Sequence, residues 1–333
     1  MTLDTSLPEV RFAVDAVRQA VRLAQQVQAE MVTPRLTKED RSPVTVADFS
    51  VQALVAAILA ESFPKDSLLA EETSDVLRRP EASQALNATV SFVSRYLPGV
   101  TPQAVSDWID RGSSTAVTRF WTLDPIDGTK GFLRGGQYAI ALALMVDGNV
   151  RIGVLGCPNL SEDGAPTVNG SGLLVVAVRG QGSWVVPLRD PDKLVRLHVS
   201  ACHDLKDARL LRSFESDHTN SHQLDELARS QEMKIAPLLM DSQAKYAVLA
   251  AGKADLLLRL LSPSDLHYRE RIWDQAAGSI VLEEAGGRIT DLDGKNLDFN
   301  AGRTLAHNRG ILASNGALHA PALEALKQLP HPA

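Results

Sequence analysis

A chain of 333 residues with 44% hydrophobic and 22% charged residues has the composition of an ordinary folded protein, which excludes disorder over most of its length. Its formal net charge of −6 argues against a general nucleic-acid binder, and the longest apolar run, 139–146, is too short to span a bilayer. Two distant cysteines, Cys157 and Cys202, offer neither a disulfide framework nor zinc-ligand spacing; with no basic-then-apolar leader at the N-terminus, a cytoplasmic protein is expected.

Taken in order, residues 9–31 carry Val10, Ala13, Val14, Val17, Val21, Ala24 and Val27 at three- and four-residue spacing, which predicts an amphipathic helix. A polar loop over 33–43 follows. Thr45 and Asp48 have capping-box character, with Asp in place of the usual Glu or Gln, and open a helix to about Phe63, where Pro64 helps to stop it. Leu68-Leu69-Ala70 is a short apolar segment that leads into Glu71 and Glu72. Residues 73–119 are the least informative: 91–97 and 101–111 are expected to be helical, and 111–115 reads as a surface loop.

The stretch 121–134 is the sharpest in the chain. Phe120, Trp121 and Leu123 deliver Asp124 and Asp127, and Pro125 between them removes an amide donor and stiffens the corner. Gly128, Thr129 and Lys130 then open a helix or a tight turn. Two acids beside amide groups and a hydroxyl suit a hard metal ion and a phosphate together. The plainer alternative is a strand ending in a turn, because Asp, Pro and Gly are also common turn residues.

Beyond it, 138–146 and 150–155 read as a hairpin, and 173–178 with 183–186 as a second strand pair. The Gly-, Pro- and Asn-rich segment 162–171 is the candidate domain junction. Strands at 208–214, 235–239, 255–260 and 310–313 then alternate with helices at 221–231, 242–251, 274–285 and 318–329, the pattern of a layered α/β second half.

Acids stand at structural breakpoints: Asp48 in a first helical turn, Glu71 after a short strand, Asp124 and Asp127 at a strand end, Asp274 at a helix entrance. Asp48 and Asp274 can equally serve as helix caps, and Glu71 with Glu72 as a solvated pair. As ligands, hard oxygens without His or Cys select Mg²⁺ or Mn²⁺ over Zn²⁺. Thr129 hydrogen-bonded to Asp48 is suited to orient or deprotonate a water. Ala251-Gly252-Lys253 is not a P-loop, since Ala247 stands where its first glycine belongs, and the eight histidines, without ligand spacing, read mostly as surface or loop groups.

Ser-Pro-Val-Thr-x-x-Asp (42–48), Glu-Glu-Thr (71–73), Asp-Pro-Ile-Asp-Gly-Thr (124–129) and Trp-Asp-x-Ala-Ala-Gly (273–278) together resemble the magnesium-dependent, lithium-sensitive phosphomonoesterases of the inositol monophosphatase superfamily. Lys130-Gly-Phe-Leu-Arg-Gly135, Asp241-Ser242-Gln243-Ala-Lys245-Tyr246 and Arg259 are most similar to its 3′(2′),5′-bisphosphate nucleotidase branch. The resemblance implies a layered α-β-α-β-α fold, with an N-terminal α+β metal-binding half (1–165), a C-terminal α/β half (166–333) with nucleotide contacts, and an active site between them. It implies that Glu71, Asp124, Asp127, Asp274 and the Ile126 carbonyl hold two or three Mg²⁺ ions, with Mn²⁺ as an alternative, and that Asp48 and Thr129 activate water. Gly128 and Thr129 would hold the reacting phosphate, and Ser242, Lys245 and Arg259, with His218 or His222, the nucleotide and its second phosphate. The implied reaction is removal of the 3′-phosphate from 3′-phosphoadenosine 5′-phosphate, or from its sulfated relative, as in sulfur assimilation.

The implied partner is a small nucleotide bisphosphate, with no nucleic acid or membrane, acted on by a monomer or small homo-oligomer. Rival readings are an inositol monophosphatase or inositol polyphosphate 1-phosphatase, a sugar bisphosphatase, and a catalytically silent nucleotide- or metal-binding protein. One departure is Ala70, which stands where the family has a glycine.

Overall fold

The spacing of valines and alanines near the N-terminus builds α1 (Pro8–Glu30), whose Val10, Ala13, Val17, Val21 and Ala24 are fully buried. A computed structural model of the chain describes residues 3–30, 36–37, 43–115, 118–167, 170–214, 220–262 and 265–329, with backbone alone at 36–37 and 43–44. After the two-residue strands β1 (Leu36–Thr37) and β2 (Pro43–Val44), Thr45 caps α2 (Val46–Ser62). The capping box is complete: the Thr45 hydroxyl accepts from the helix amides, and Asp48 Oδ2 accepts from the Thr45 amide at 2.8 Å. Then come β3 (Ser67–Ala70), α3 (Ser83–Val93) and α4 (Pro102–Asp110). The helix expected at 91–97 therefore begins eight residues earlier, where small and polar residues mask its periodicity. Helices α3 and α4 cover the outer side of α2 through Val93, Val105 and Ile109 against Phe49 and Ala53, so α2 is buried almost all round.

Next follow β4 (Arg119–Asp127), α5 (Thr129–Leu133), β5 (Ala139–Val146), β6 (Asn149–Cys157), β7 (Leu173–Val178), β8 (Gly182–Pro187) and β9 (Val195–Arg196). With β3 they form a seven-stranded sheet in the order β3-β4-β5-β6-β7-β8-β9, in which only β3 and β4 are parallel. The expected boundary at residue 165 falls in the β6–β7 connection of this one sheet, so the change of sheet comes after Arg196. Residues 162–167 thus lie in a connection within the sheet: Gln137 Nε2 donates to the carbonyls of Asn159 and Thr167, each at 2.9 Å.

The remainder supplies β10 (Leu210–Arg212), α6 (Ser221–Ser230), β11 (Leu238–Leu239), α7 (Ala244–Ala250), β12 (Leu256–Arg259), α8 (Ala276–Glu284), β13 (Arg288–Thr290), β14 (Ile311–Ser314) and α9 (His319–Lys327). Its five-stranded sheet runs β11-β10-β12-β14-β13, parallel over the first three strands and antiparallel beyond. β13 was not anticipated, its three residues being too short for a visible alternation.

The apolar pattern decides the layering. In β5, Ile140, Leu142 and Leu144 pack with α1 and α2, while Ala139, Ala141 and Ala143 join the cluster that holds α7 and α8. That same middle cluster takes Leu211, Leu257 and Ala313 from one face of the second sheet; Leu210, Leu256 and Leu312 from its other face pack with α6 and α9. Two helix pairs, a sheet, a helix pair, a sheet and an outer helix pair reproduce the expected α-β-α-β-α stack. Close approach of α7 to α8 depends on Gly278, since a Cβ there would lie 2.1 Å from the Tyr246 ring.

Two smaller expectations gain detail. Residues 111–115 keep Ser113 and Thr115 exposed, as a surface loop would, but dock on β3 through Gly112, which is buried and whose carbonyl accepts from the Ala70 amide at 2.8 Å. His319 is a satisfied core histidine, bonded to Thr290 Oγ1 at 2.9 Å and Ser314 Oγ at 3.0 Å. Both cysteines are free thiols. No helix among the described residues is long and apolar enough to cross a membrane.

Candidate active site

The site is built at the end of β4. Pro125 cannot donate to the ladder, and the pairing slips there: Asp124 lies opposite Ala141 and Asp127 opposite Ala139, three residues against two. The strand nevertheless continues to Asp127, and the chain then turns through Gly128, which takes φ +86° and so can hardly be any other residue. A short helix begins at Thr129. Its hydroxyl lies 3.2 Å from the Ile126 carbonyl and 3.3 Å from Asp48 Oδ1. Asp48 is buried and already oriented, because its other oxygen accepts from the Thr45 hydroxyl at 2.6 Å and from the Thr45 amide.

Around this corner the acids share one field. Burial first, then the charges of Glu71, Asp127, Asp274 and Asp48, push the Asp124 carboxyl well above the usual carboxylate range. Asp274, just ahead of α8, is pushed up by burial and by Asp127, although Arg259 works the other way. Asp127 is also raised by burial, an effect offset in part by Lys245, the Gln243 amide and Arg259. Asp124 Oδ1 is buried without a hydrogen-bond partner among the described residues. Among those residues no three His, Cys or acidic side chains close into a finished metal cage. Like charges in one buried pocket repel, so convergence without closure is the expected geometry for carboxylates alone. The donor chemistry is all oxygen, and the orphaned Asp124 oxygen demands a proton or a cation; the set fits Mg²⁺.

The second half of the molecule meets this corner through residues 241–245. Ser242 has φ +69°, a strained backbone for a residue with a Cβ, costing on the order of 1 kcal/mol. The Gln243 amide donates to Asp127 Oδ2 at 2.6 Å. The Gln243 side chain spans to the Asp274 segment, donating to the Trp273 carbonyl at 2.9 Å and accepting from the Gly278 amide at 3.0 Å. Arg134, at the end of the sharp stretch, pairs with Asp241 at 2.5 Å and lies 5.3 Å from the exposed ring of Phe214.

Two cations lie behind. The Lys245 ammonium is buried, donates to the Met240 carbonyl at 3.3 Å, and is pushed down to about 8 by burial and then by Arg259. Arg259 Nε stands 3.1 Å from Glu270 Oε1. Glu270 accepts from Gln275 Nε2 at 2.8 Å, and Gln275 accepts from the Tyr246 hydroxyl at 2.5 Å.

Glu71, Asp124, Asp127, Asp274, Asp48, Thr129 and the Ile126 carbonyl are therefore brought together, with Ser242, Lys245 and Arg259 beside them. His218 lies outside the described residues, and His222 is exposed in the first turn of α6. Ala70 belongs to β3 and carries none of the positive φ that the missing glycine suggested; among the described residues the non-glycines with positive φ are Asp147, Glu232 and Ser242. Sequence reasoning gave no role to Gln243, Glu270 or Gln275, which act through hydrogen bonds no spacing reveals.

A model of the inositol monophosphatase family matches residues 7–331. The chain belongs to the inositol monophosphatase family. Within this family, a 3′(2′),5′-bisphosphate nucleotidase of Schizosaccharomyces pombe is 39% identical, the match covering 95% of this chain and 94% of that one. Another, of Emericella nidulans, is also 39% identical, with 94% and 96% covered. The fold is that of the extragenic suppressor protein suhB of Bartonella henselae, with a TM-score of 0.66 over 96% of this chain and 98% of that one at 21% identity.

Proposed function

We propose that this chain is a 3′(2′),5′-bisphosphate nucleotidase, a phosphomonoesterase that removes the 3′-phosphate of 3′-phosphoadenosine 5′-phosphate to leave AMP and inorganic phosphate. The observation that carries the substrate class is the pair of cations, Lys245 and Arg259, whose charges both act on Asp127. A monophosphate leaves such a pair idle. A bisphosphate gives it a second, non-reacting phosphate to hold by charge-assisted bonds. The relatives named for this activity support the same reading over nearly the whole chain.

In this reading Glu71, Asp124, Asp127, Asp274 and the Ile126 carbonyl hold Mg²⁺, which when bound supplies charge neutralisation and a more acidic water. The protein groups do the rest. Thr129, its hydroxyl shared between Asp48 and the Ile126 carbonyl, orients the attacking water and passes its proton to Asp48. Thr45 keeps Asp48 from rotating away, since it occupies the opposite oxygen. Gly128 and Thr129 face the reacting phosphate, and Ser242 helps to hold the nucleotide. The labour divides between the sheets, the seven-stranded one carrying most of the acids and the five-stranded one the contacts to the second phosphate. The enzyme works on a soluble small molecule in the cytoplasm, as a monomer or small homo-oligomer.

The test is phosphate release in Mg²⁺ from 3′-phosphoadenosine 5′-phosphate, inositol monophosphate, inositol 1,4-bisphosphate and fructose 1,6-bisphosphate. The nucleotide should be preferred by at least about 10-fold in kcat/KM, a discrimination of roughly 1.4 kcal/mol. Asp127→Asn should abolish turnover of all four. Preference for an inositol phosphate would sink the assignment, and full activity of the Asn variant would sink the metal mechanism.

A further inference from the structure

Arg303 lies in the connection between β13 and β14, remote in sequence from every motif that marks the site. Its main chain and side chain make different connections. Ile272 donates its amide to the Arg303 carbonyl at 3.1 Å, Leu305 donates to the Glu270 carbonyl at 2.9 Å, and Arg271 forms an antiparallel bridge with Thr304. Residues 303–305 therefore run alongside the segment that delivers Trp273 and Asp274.

The side chain reaches the other way, to the end of β3. Nη2 donates to the Ala70 carbonyl at 2.6 Å and Nη1 to the Gly112 carbonyl at 3.3 Å. Between these two attachments the guanidinium lies 4.7 Å from the centre of the Trp273 ring. Ala70 immediately precedes Glu71, and Trp273 immediately precedes Asp274. One planar cation thus touches the backbone neighbour of one acid and the side-chain neighbour of the other.

We infer that Arg303 is a positioning residue that holds the segments bearing Glu71 and Asp274 in register, so that both acids would stand in place for the Mg²⁺ proposed above. This rests on the metal reading above. Acids that repel each other need an external frame, and the two-carbonyl, one-ring seat is matched by a flat fork of donors. An ordinary stabilising strut is the competing account. Burial, and then Arg271, hold the Arg303 guanidinium below its usual range, and its hydrogen-bond partners among the described residues are carbonyls, not carboxylates. A half-buried cation with only neutral partners is a poor source of stability, so its fixed seat on two carbonyls and a ring points to geometry.

The test is calorimetric titration of the substrate-free protein with Mg²⁺ for the wild type, Arg303→Ala and Arg303→Lys, with thermal unfolding of each. Folded Arg303→Ala should bind Mg²⁺ about 10-fold or more weakly and lose kcat more than it raises KM for the nucleotide. Arg303→Lys, able to reach one carbonyl but not to bridge two, should fall between. Should the Ala variant unfold, the Lys variant decides: weaker Mg²⁺ binding supports the inference and unchanged binding overturns it. Wild-type affinity in a folded Ala variant overturns it as well, while leaving the metal reading intact. A wild type that takes up no Mg²⁺ would remove both.

Discussion

At the scale of single residues, Asp124 shows the conflict on which the site is built. Its carboxyl is held well above its ordinary range by burial and by Glu71, Asp127, Asp274 and Asp48. A group whose folded-state pKa exceeds its unfolded value of about 4 contributes stability below that value and loses it as pH rises through the folded one. The metal-free protein therefore carries a penalty at neutral pH that an uncharged residue would escape. Asp124→Asn should abolish turnover yet raise the Tm at pH 7.5 by roughly 1–3 °C, with the gain shrinking as pH is lowered. An Asn variant that melts earlier than wild type at pH 7.5 would show that this charge is not strained. The acids themselves were readable from the chain, because each stands at a break in an apolar pattern. Gln243 was not, because its decisive bond to Asp127 is made by a main-chain amide that every residue but proline possesses.

At the scale of elements, α7 and α8 show how packing reaches Arg259, one of the proposed contacts to the second phosphate. Gly278 lets the Tyr246 ring lie against α8, and Tyr246, Gln275 and Glu270 form a chain that ends on Arg259. Gly278→Ala would drive a Cβ into that ring, a misfit expected to cost about 1–3 kcal/mol in urea unfolding. Because the displaced ring is tied to the Arg259 partner, KM for the nucleotide should rise as well. A variant with unchanged stability and KM would mean that the ring can move freely. The motif Ala276-Ala277-Gly278 was legible as small residues crowding a carboxylate, yet its packing role needs Tyr246, thirty-odd positions away. Likewise Asp124 and Asp127 were both legible at a strand end; only the partner strand β5 shows the bulge between them that carries β4 past Pro125 to Asp127.

At the scale of the molecule, acids from both halves of the chain act on one another, and on the metal reading cation binding should stabilise the whole chain. Millimolar Mg²⁺ is expected to raise the Tm at pH 7.5, by an amount equivalent to about 2.7 kcal/mol at 100 times the dissociation constant. In Asp124→Asn the shift should be markedly smaller. Equal shifts in both proteins would place the ion elsewhere.

The sequence alone determined the fold class and showed which acids stand at breaks in the apolar pattern, since periodicity, capping and turn chemistry are local and short motifs record them. It also located most helices and strands to within a few residues. Tertiary structure decided the rest. The change of sheet after Arg196, the docking of Gly112 on β3 and the grip of Arg303 on Ala70 and Trp273 all depend on contacts between segments far apart in the chain. Such contacts leave no periodic trace, because the partner of a hydrogen-bonding or stacking group is chosen by the folded geometry and not by its neighbours in sequence.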